Sequence, residues 1–309
     1  MRVGIVGVSG FIGRHLCEHL LSRSFDVVGV SRHASSLEFR SKQPHLELVD
    51  ADVTDTEVLT DALQECDTAV YLVHGLQQKG YQAWEQQAAA SFVQASNAAG
   101  IRRIVFLGGL GSGQDTLSSH LRSRHLTGER LRQAKCEVIE LRASMVLGPG
   151  SVGYDIMQSL IGRLPILILP GHAATLMQPI VLEDVLDYIT AALHVTLDKS
   201  MVVEIGGPEV LSYRELLCRY AQYCKKRRLM VRFPLLPPQI AAWWLNLFTP
   251  QHHVRTGKQM MDSLRNPMVV NDDAAGRLFP DIAPHPIESA FLCPQEPKKR
   301  RDNLEGPAG

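Results

Sequence analysis

The stretch Arg2–Leu21, RVGIVGVSGFIGRHLCEHLL, decides how the rest of the chain is read. Val3, Ile5 and Val6 predict a buried strand, and Phe11, Ile12, His15, Leu16, His19 and Leu20 recur at helical spacing. Gly7, Gly10 and Gly13 therefore fall where strand turns into helix. Such a junction suits a pyrophosphate. Gly7 permits the tight turn, Gly10 lets the backbone approach the phosphates, and Gly13 lets the helix pack on the strand, while the helix N-terminus supplies amide donors and a positive dipole end. A plain tight turn is the alternative; three glycines spaced three apart say little without the strand and helix around them.

Working outward, the first 144 residues alternate short apolar strands with helices. After the opening unit come FDVVGV (25–30), LELVDADV (46–53), TAVYLV (68–73), RRIVFLGG (102–109) and EVIELRAS (137–144). Between them helices are predicted from Asp55 to Gln64, opened by a capping box at Thr54 and Glu57, from Tyr81 to Ala99, and from about His120 to Gln133. This order predicts an α/β fold, a Rossmann-type doubly wound parallel sheet, with ligands at the C-terminal ends of the strands. Beyond Gly148-Pro149-Gly150 the rhythm changes. A helix at 154–163, the apolar LPILILP, QPIVLEDV leading into a helix to His194, MVVEIGGPEVL, and a helix capped by Ser212 and Glu215 predict a smaller, mixed α/β C-terminal lobe. The expected division is a nucleotide-binding domain at 1–150, a substrate or partner lobe at 151–293 interleaved with it, and a disordered tail at 294–309.

The 309 residues carry 32 Lys and Arg against 32 Asp and Glu, so no net field favours nucleic acid or an anionic membrane. No apolar run reaches the roughly 20 residues of a membrane span, and with residue 1 leading straight into a strand no signal peptide is expected. The six cysteines include no Cys-x-x-Cys pair; neither a disulfide framework nor a zinc site is expected, which fits a reducing cytoplasm. The histidines do not group with acids at metal-ligand spacing, so no metal is expected. Trp243 and Trp244, in IAAWWLNLF, read as a helix packed on the lobe or overhanging a pocket, and the basic run Lys225–Arg228 as a solvated helix end. A monomer or homodimer is expected; the partner is not specified.

At the end of the second strand stand Ser31 and Arg32, where an acid would accept the ribose hydroxyl of NAD. Arg32 instead suits a 2′-phosphate, so NADP(H) is expected over NAD(H). Asp52 is placed to accept from the adenine amino group, with Val53 against the ring; capping the next helix is its other reading.

The motifs GVSGFIG (7–13), VSR (30–32), DADVTD (50–55), YLVHG (71–75), FLGGLG (106–111), SSHLRSRHLTGERL (118–131), ELRASMVLGPGS (140–151), QPIVLEDVL (178–186) and EIGGPEVLSYREL (204–216) resemble an atypical, extended-type short-chain dehydrogenase/reductase of the NmrA-like, NAD(P)H-binding kind. The resemblance runs to about Phe291. It implies that Gly7, Ser9, Gly10, Phe11, Ile12 and Gly13 wrap the pyrophosphate, Arg32 the 2′-phosphate, and Asp52 and Val53 the adenine. It places Val73, His74 and Gly75 at the adenosine and ribose, Leu107, Gly108 and Gly109 at the nicotinamide ribose, and Arg142, Ala143, Ser144 and Met145 at the nicotinamide face.

The departure from the family is as informative. Its active reductases pair a Tyr with a Lys four residues later, the lysine lowering the tyrosine pKa for proton exchange with the substrate oxygen. None of the seven tyrosines here has a lysine four positions on. With Glu129 matched to the family's helix glutamate, Leu121 takes the tyrosine position and His125 the lysine position, while Gly108 and Gly109 replace the serines that polarise a carbonyl. His125 is then the candidate for a bond to the nicotinamide ribose and for proton transfer. His74, His120, Arg122, Arg124 and Tyr154 also come near the expected pocket, the arginines read either as ligands for an anionic or polar carbonyl compound or as solvated charges at a helix start. Two functions follow: an NADP(H)-dependent oxidoreductase acting on a small carbonyl or quinone, and a non-catalytic NADP(H)-binding sensor or assembly factor. Sugar-nucleotide epimerase or dehydratase chemistry needs the missing tyrosine and lysine.

Overall fold

The computed structural model describes residues 1–39, 44–76, 80–111, 117–233 and 262–293. The strands are β1 (Arg2–Val6), β2 (Asp26–Ser31), β3 (Leu46–Asp50), β4 (Thr68–Tyr71), β5 (Arg103–Gly109), β6 (Glu137–Ala143), β7 (Val146–Leu147), β8 (Ile166–Pro170), β9 (Leu176–Met177), β10 (Ile180–Val181), β11 (Met201–Ile205), β12 (Leu211–Ser212) and β13 (Leu229–Phe233). The helices are α1 (Phe11–Ser22), α2 (Thr56–Leu63), α3 (Tyr81–Ala98), α4 (Ser119–Leu131), α5 (Val152–Arg163), α6 (Leu182–His194), α7 (Tyr213–Tyr223) and α8 (Ala274–Leu278).

Seven strands form one parallel sheet in the order β11-β6-β5-β4-β1-β2-β3. Its central strands β1, β4 and β5 read as largely apolar runs because both faces are covered. Val3, Ile5, Val27, Val70, Val105, Ile139 and Leu141 meet Leu16, Leu20, Val185 and Ile189 of α1 and α6 on one side. Val6, Val28, Val30, Tyr71, Ile104, Phe106 and Val138 meet Leu59, Leu63, Ala88, Phe92 and Leu131 of α2, α3 and α4 on the other. The order reverses between β1 and β4, the switch point at which an open α/β sheet leaves a crevice.

The strand expected in the smaller lobe at MVVEI joins this sheet instead: β11 pairs with β6, Met201 opposite Ile139. Sequence position alone does not say which sheet an edge strand extends. The smaller lobe has its own core, in which Tyr154, Met157 and Ile161 of α5 pack with Leu216, Leu217 and Tyr220 of α7 and with Leu264, Met268, Ile287 and Phe291. Three two-stranded pieces frame it: β7 with β10, β8 with β13, and β9 with β12.

The box at Ser212 and Glu215 is present in both directions, whereas the one expected at Thr54 and Glu57 is not. Asp55 caps α2 by accepting from Val58 N, and Thr54 Oγ1 instead donates to Asp52. The expectation of no disulfide is corrected as well: Cys224 and Cys293 are bonded, with Cα atoms 5.4 Å apart. They lie 69 positions apart, so no local spacing announces the pair. The cytoplasmic expectation loses the support it drew from unpaired cysteines. No helix among the described residues is long and apolar enough to cross a membrane. Trp243 and Trp244, His252 and His253, and the tail from 294 lie outside the described residues.

Candidate functional site: a cleft along the sheet edge

The turn after β1 is built by backbone. Gly7 has φ +100°, and Gly10 N donates to Gly7 O at 3.0 Å. A Cβ at Gly13 would lie 2.4 Å from Gly7 O, so α1 approaches the turn as closely as only glycine permits. Gly10 is the N-cap of α1 and brings no side-chain bond to the helix's first amides, which leaves those donors to the cleft.

Two cavities meet there, sharing Gly10, Leu72 and His74. The first, of about 410 Å³, is lined by Gly7, Ser9, Arg14, Ser31, Arg32, His33, Ser36, Asp52, Val53 and Val73. Arg14, one residue past the last glycine, joins Arg32 there; a cation at that spacing was the signal that sequence reasoning passed over. Asp52 takes two bonds from Thr54, N at 2.9 Å and Oγ1 at 2.7 Å, which hold its carboxyl below the usual range. It faces the cavity without capping α2.

The second cavity, of about 340 Å³, runs past Phe11, Ile12 and Gly13 to Leu107, Gly108 and Gly109 at the end of β5 and Ala143, Ser144 and Met145 after β6. Its far wall is Leu76, Leu121, Val146, Leu264 and Met268, with His120, Arg124 and Ser263 between. The wall segment Ser263–Met268 is held by Met268 N on Leu176 O and Gln178 N on Met268 O, long-range bonds that sequence does not reveal. Ser31 Oγ and Ser144 Oγ, buried hydroxyls of two lining residues, have no hydrogen-bond partner among the described residues. Ser31 lies along the first cavity and Ser144 along the second.

Of the residues expected at the cofactor, Gly75, His125 and Arg142 line neither cavity. Gly75 N is bonded to Glu85 Oε1, and a Cβ there would strike Trp84. His125 Nε2 donates to Gly109 O at 3.1 Å, and burial lowers its pKa, with Arg142 adding to the effect. Arg142 Nε pairs with the fully buried Glu140 at 2.6 Å, which Arg132 also holds. Arg124 is not solvated, although it lines the second cavity. It is buried, it donates to Val73 O at 3.0 Å and Leu107 O at 2.5 Å, and it lies over the Phe106 ring, tying β4 to β5. Arg122 is exposed, and Tyr154 spends its hydroxyl on Leu292 in the lobe core.

A strand, a phosphate-sized glycine turn, the N-terminus of a helix and a cleft at the switch point are thus in one place. Residues 7–146 match the family described as NAD(P)H-binding. An uncharacterized protein of Mycobacterium tuberculosis is 24% identical over 224 residues, covering 70% of this chain and 23% of that protein, so the chain spans about a quarter of the length of the curated relatives it matches. Among solved structures, a nucleoside-diphosphate-sugar epimerase from Staphylococcus aureus superposes with TM-score 0.72 at 13% identity, covering 94% of this chain and 99% of that one. The Bordetella bronchiseptica enzyme WbmH in complex with NAD+ gives TM-score 0.67 at 15% identity, covering 94% and 95%. These likenesses carry the fold alone, a Rossmann-type α/β architecture.

Proposed function

We propose that the chain binds NADP(H) in preference to NAD(H) and reduces a small, largely apolar carbonyl compound or quinone. The observation that carries this reading is the second cavity, a pocket of about 340 Å³ walled by Leu76, Leu121, Met145, Val146, Leu264 and Met268 that opens directly from the dinucleotide turn. A bound nicotinamide supplies hydride. The protein's own share is to hold the pyrophosphate on the amides of Ser9–Gly13, the 2′-phosphate against Arg32 and Arg14, and the adenine between Asp52 and Val53. The aliphatic walls exclude water from the reacting end of the cleft and favour an apolar substrate over a nucleotide sugar.

The test is loss of nicotinamide absorbance with purified protein, NADPH and a broad panel of aldehydes, ketones and quinones. Turnover of at least one apolar member is expected; none over the whole panel contradicts the reading. A second reading is favoured by one observation: Leu121 stands at the position assigned to the family tyrosine, its side chain against Gly109, and presents no hydroxyl to the cavity. Under it the chain is a non-catalytic, NmrA-like sensor of NADP(H) or an assembly factor for a protein complex. Tight NADPH binding by calorimetry without turnover, together with a protein partner recovered by pull-down, decides for that second reading.

A further inference from the structure

Along the wall of the second cavity four side chains form one continuous hydrogen-bonded line, whose last member, Ser263, also lies within hydrogen-bond reach of Ser118, Oγ to Oγ 3.0 Å. His74 Nδ1 is 2.8 Å from Glu85 Oε1, His74 Nε2 is 3.0 Å from His120 Nε2, and His120 Nδ1 is 3.0 Å from Ser263 Oγ. The imidazoles are within 17° of parallel with centroids 5.1 Å apart, farther than their nitrogens, so the rings meet edge to edge as an N–H···N bond requires. His74, His120 and Ser263 all line the cavity. Glu85 is buried and also accepts from Gly75 N–H at 2.8 Å and from the Ser123 hydroxyl.

We propose that Glu85, His74, His120 and Ser263 form a proton relay that serves the substrate oxygen in this cavity, in place of the absent tyrosine and lysine. It rests on the reductase reading of the cavity. An ionised Glu85 only accepts, so His74 Nδ1 carries a proton. In the neutral state His74 Nε2 is then an acceptor, His120 Nε2 the donor to it, and His120 Nδ1 the acceptor of the Ser263 hydroxyl. One added proton reverses the line: His74 becomes an imidazolium against Glu85, and His120 Nδ1–H points to Ser263.

Reduction discharges that state. The carbonyl carbon takes the hydride supplied by NADPH, the C=O π pair moves to oxygen, and that oxygen takes the Ser263 proton. Ser263 recovers a proton from His120 Nδ1, and His120 Nε2 takes one from His74 Nε2. One solvent proton recharges His74, and alcohol oxidation runs the same transfers backwards. Ser263 is the residue that touches substrate; Glu85 is a positioning residue. The charges that face the histidine pair are Glu85 on α3 and Arg124 on α4. Burial lowers the pKa of both histidines, His120 to about 3, with Arg124 adding to the effect and Glu85 opposing it. The imidazolium is therefore a strong acid toward a developing alkoxide.

The test joins a spectroscopic and a kinetic readout on the full chain. Nitrogen-15 NMR of labelled histidines, in protein loaded with NADP+, is expected to show Nδ1–H on His74 and a through-hydrogen-bond coupling between the two Nε2 atoms. With a ketone as substrate, His120→Asn and Ser263→Ala are each expected to lose about 100-fold or more in kcat at unchanged NADPH affinity, the scale of general acid catalysis. Ser263→Ala removes a single hydroxyl and covers the case in which the histidine variant does not fold. Wild-type kcat/KM for reduction falls as pH rises, and Glu85→Gln moves that fall to lower pH. Absence of the coupling, or ketone rates within about threefold of wild type in both variants, overturns the relay. Wild-type protein that shows the coupling and binds NADPH, yet reduces nothing, overturns the reductase reading and with it the donor role.

Discussion

Gly13 and Glu140 show how much rests on single side chains. The carbonyl of Gly7 stands 2.4 Å from where a Gly13 Cβ would be, and Val8 Cα 2.8 Å, both backbone that cannot yield without opening the turn. Gly13→Ala is expected to destabilise the fold by about 2–4 kcal/mol and to weaken NADPH by tenfold or more, read by urea denaturation and calorimetry. Glu140 is fully buried between Arg132 and Arg142, and its carboxylate fills the space beside Gly128 and Gly108. Glu140→Gln leaves two guanidiniums without their anion and is expected to destabilise by about 3–5 kcal/mol, again in urea, with NADPH affinity in the surviving folded protein little changed. The glycines of the turn were legible because they fall where an apolar strand passes into an amphipathic helix. Arg142 was not: its family position suggested the nicotinamide, while its partner Glu140 sits two residues away in the same strand, and nothing in the strand's pattern marks the pair.

Elements were legible where hydrophobic period and buried area agree. The strands of the central sheet up to β6 appear within a residue or two at their starts because both faces must be apolar. Caps depend on finer competition. Thr54 and Glu57 have capping-box spacing, but Asp52 engages the Thr54 hydroxyl and Asp55 takes the N-cap. Asp55→Ala is therefore expected to cost about 1 kcal/mol through lost capping of α2, and Glu57→Ala to cost less than half of that, measured as shifts in the urea midpoint. The long-range relations stayed hidden: β11 extending the main sheet, the Ser263–Met268 segment closing the cavity, and the line from Glu85 to Ser263. Each joins residues far apart in sequence by hydrogen bonds that carry no periodic signature.

For the whole molecule, pH acts through histidines that folding partly desolvates, most of them half-buried. Burial lowers the pKa of His19, His74, His120, His125 and His172. Below the unfolded value of about 6.5 the unfolded chain binds protons that the folded chain refuses, so stability falls as the medium becomes more acidic. His285 works oppositely, raised by its bond to Asp184; its contribution is present below about 6.5 and lost as pH rises through its folded value. Five against one predicts a lower Tm at about pH 5.5 than at about pH 7.5, with His120→Asn flattening the difference.

The central claim is an NADP(H) site organised by the Gly7–Gly13 turn and read at the adenosine end by Arg32. Calorimetric titration of wild type and Arg32→Ala with NADPH and with NADH tests it most directly. The account predicts that wild type prefers NADPH, and that the substitution weakens NADPH about 10- to 100-fold while NADH changes less than about twofold. Equal losses for the two nucleotides, or a wild type that prefers NADH, would contradict it.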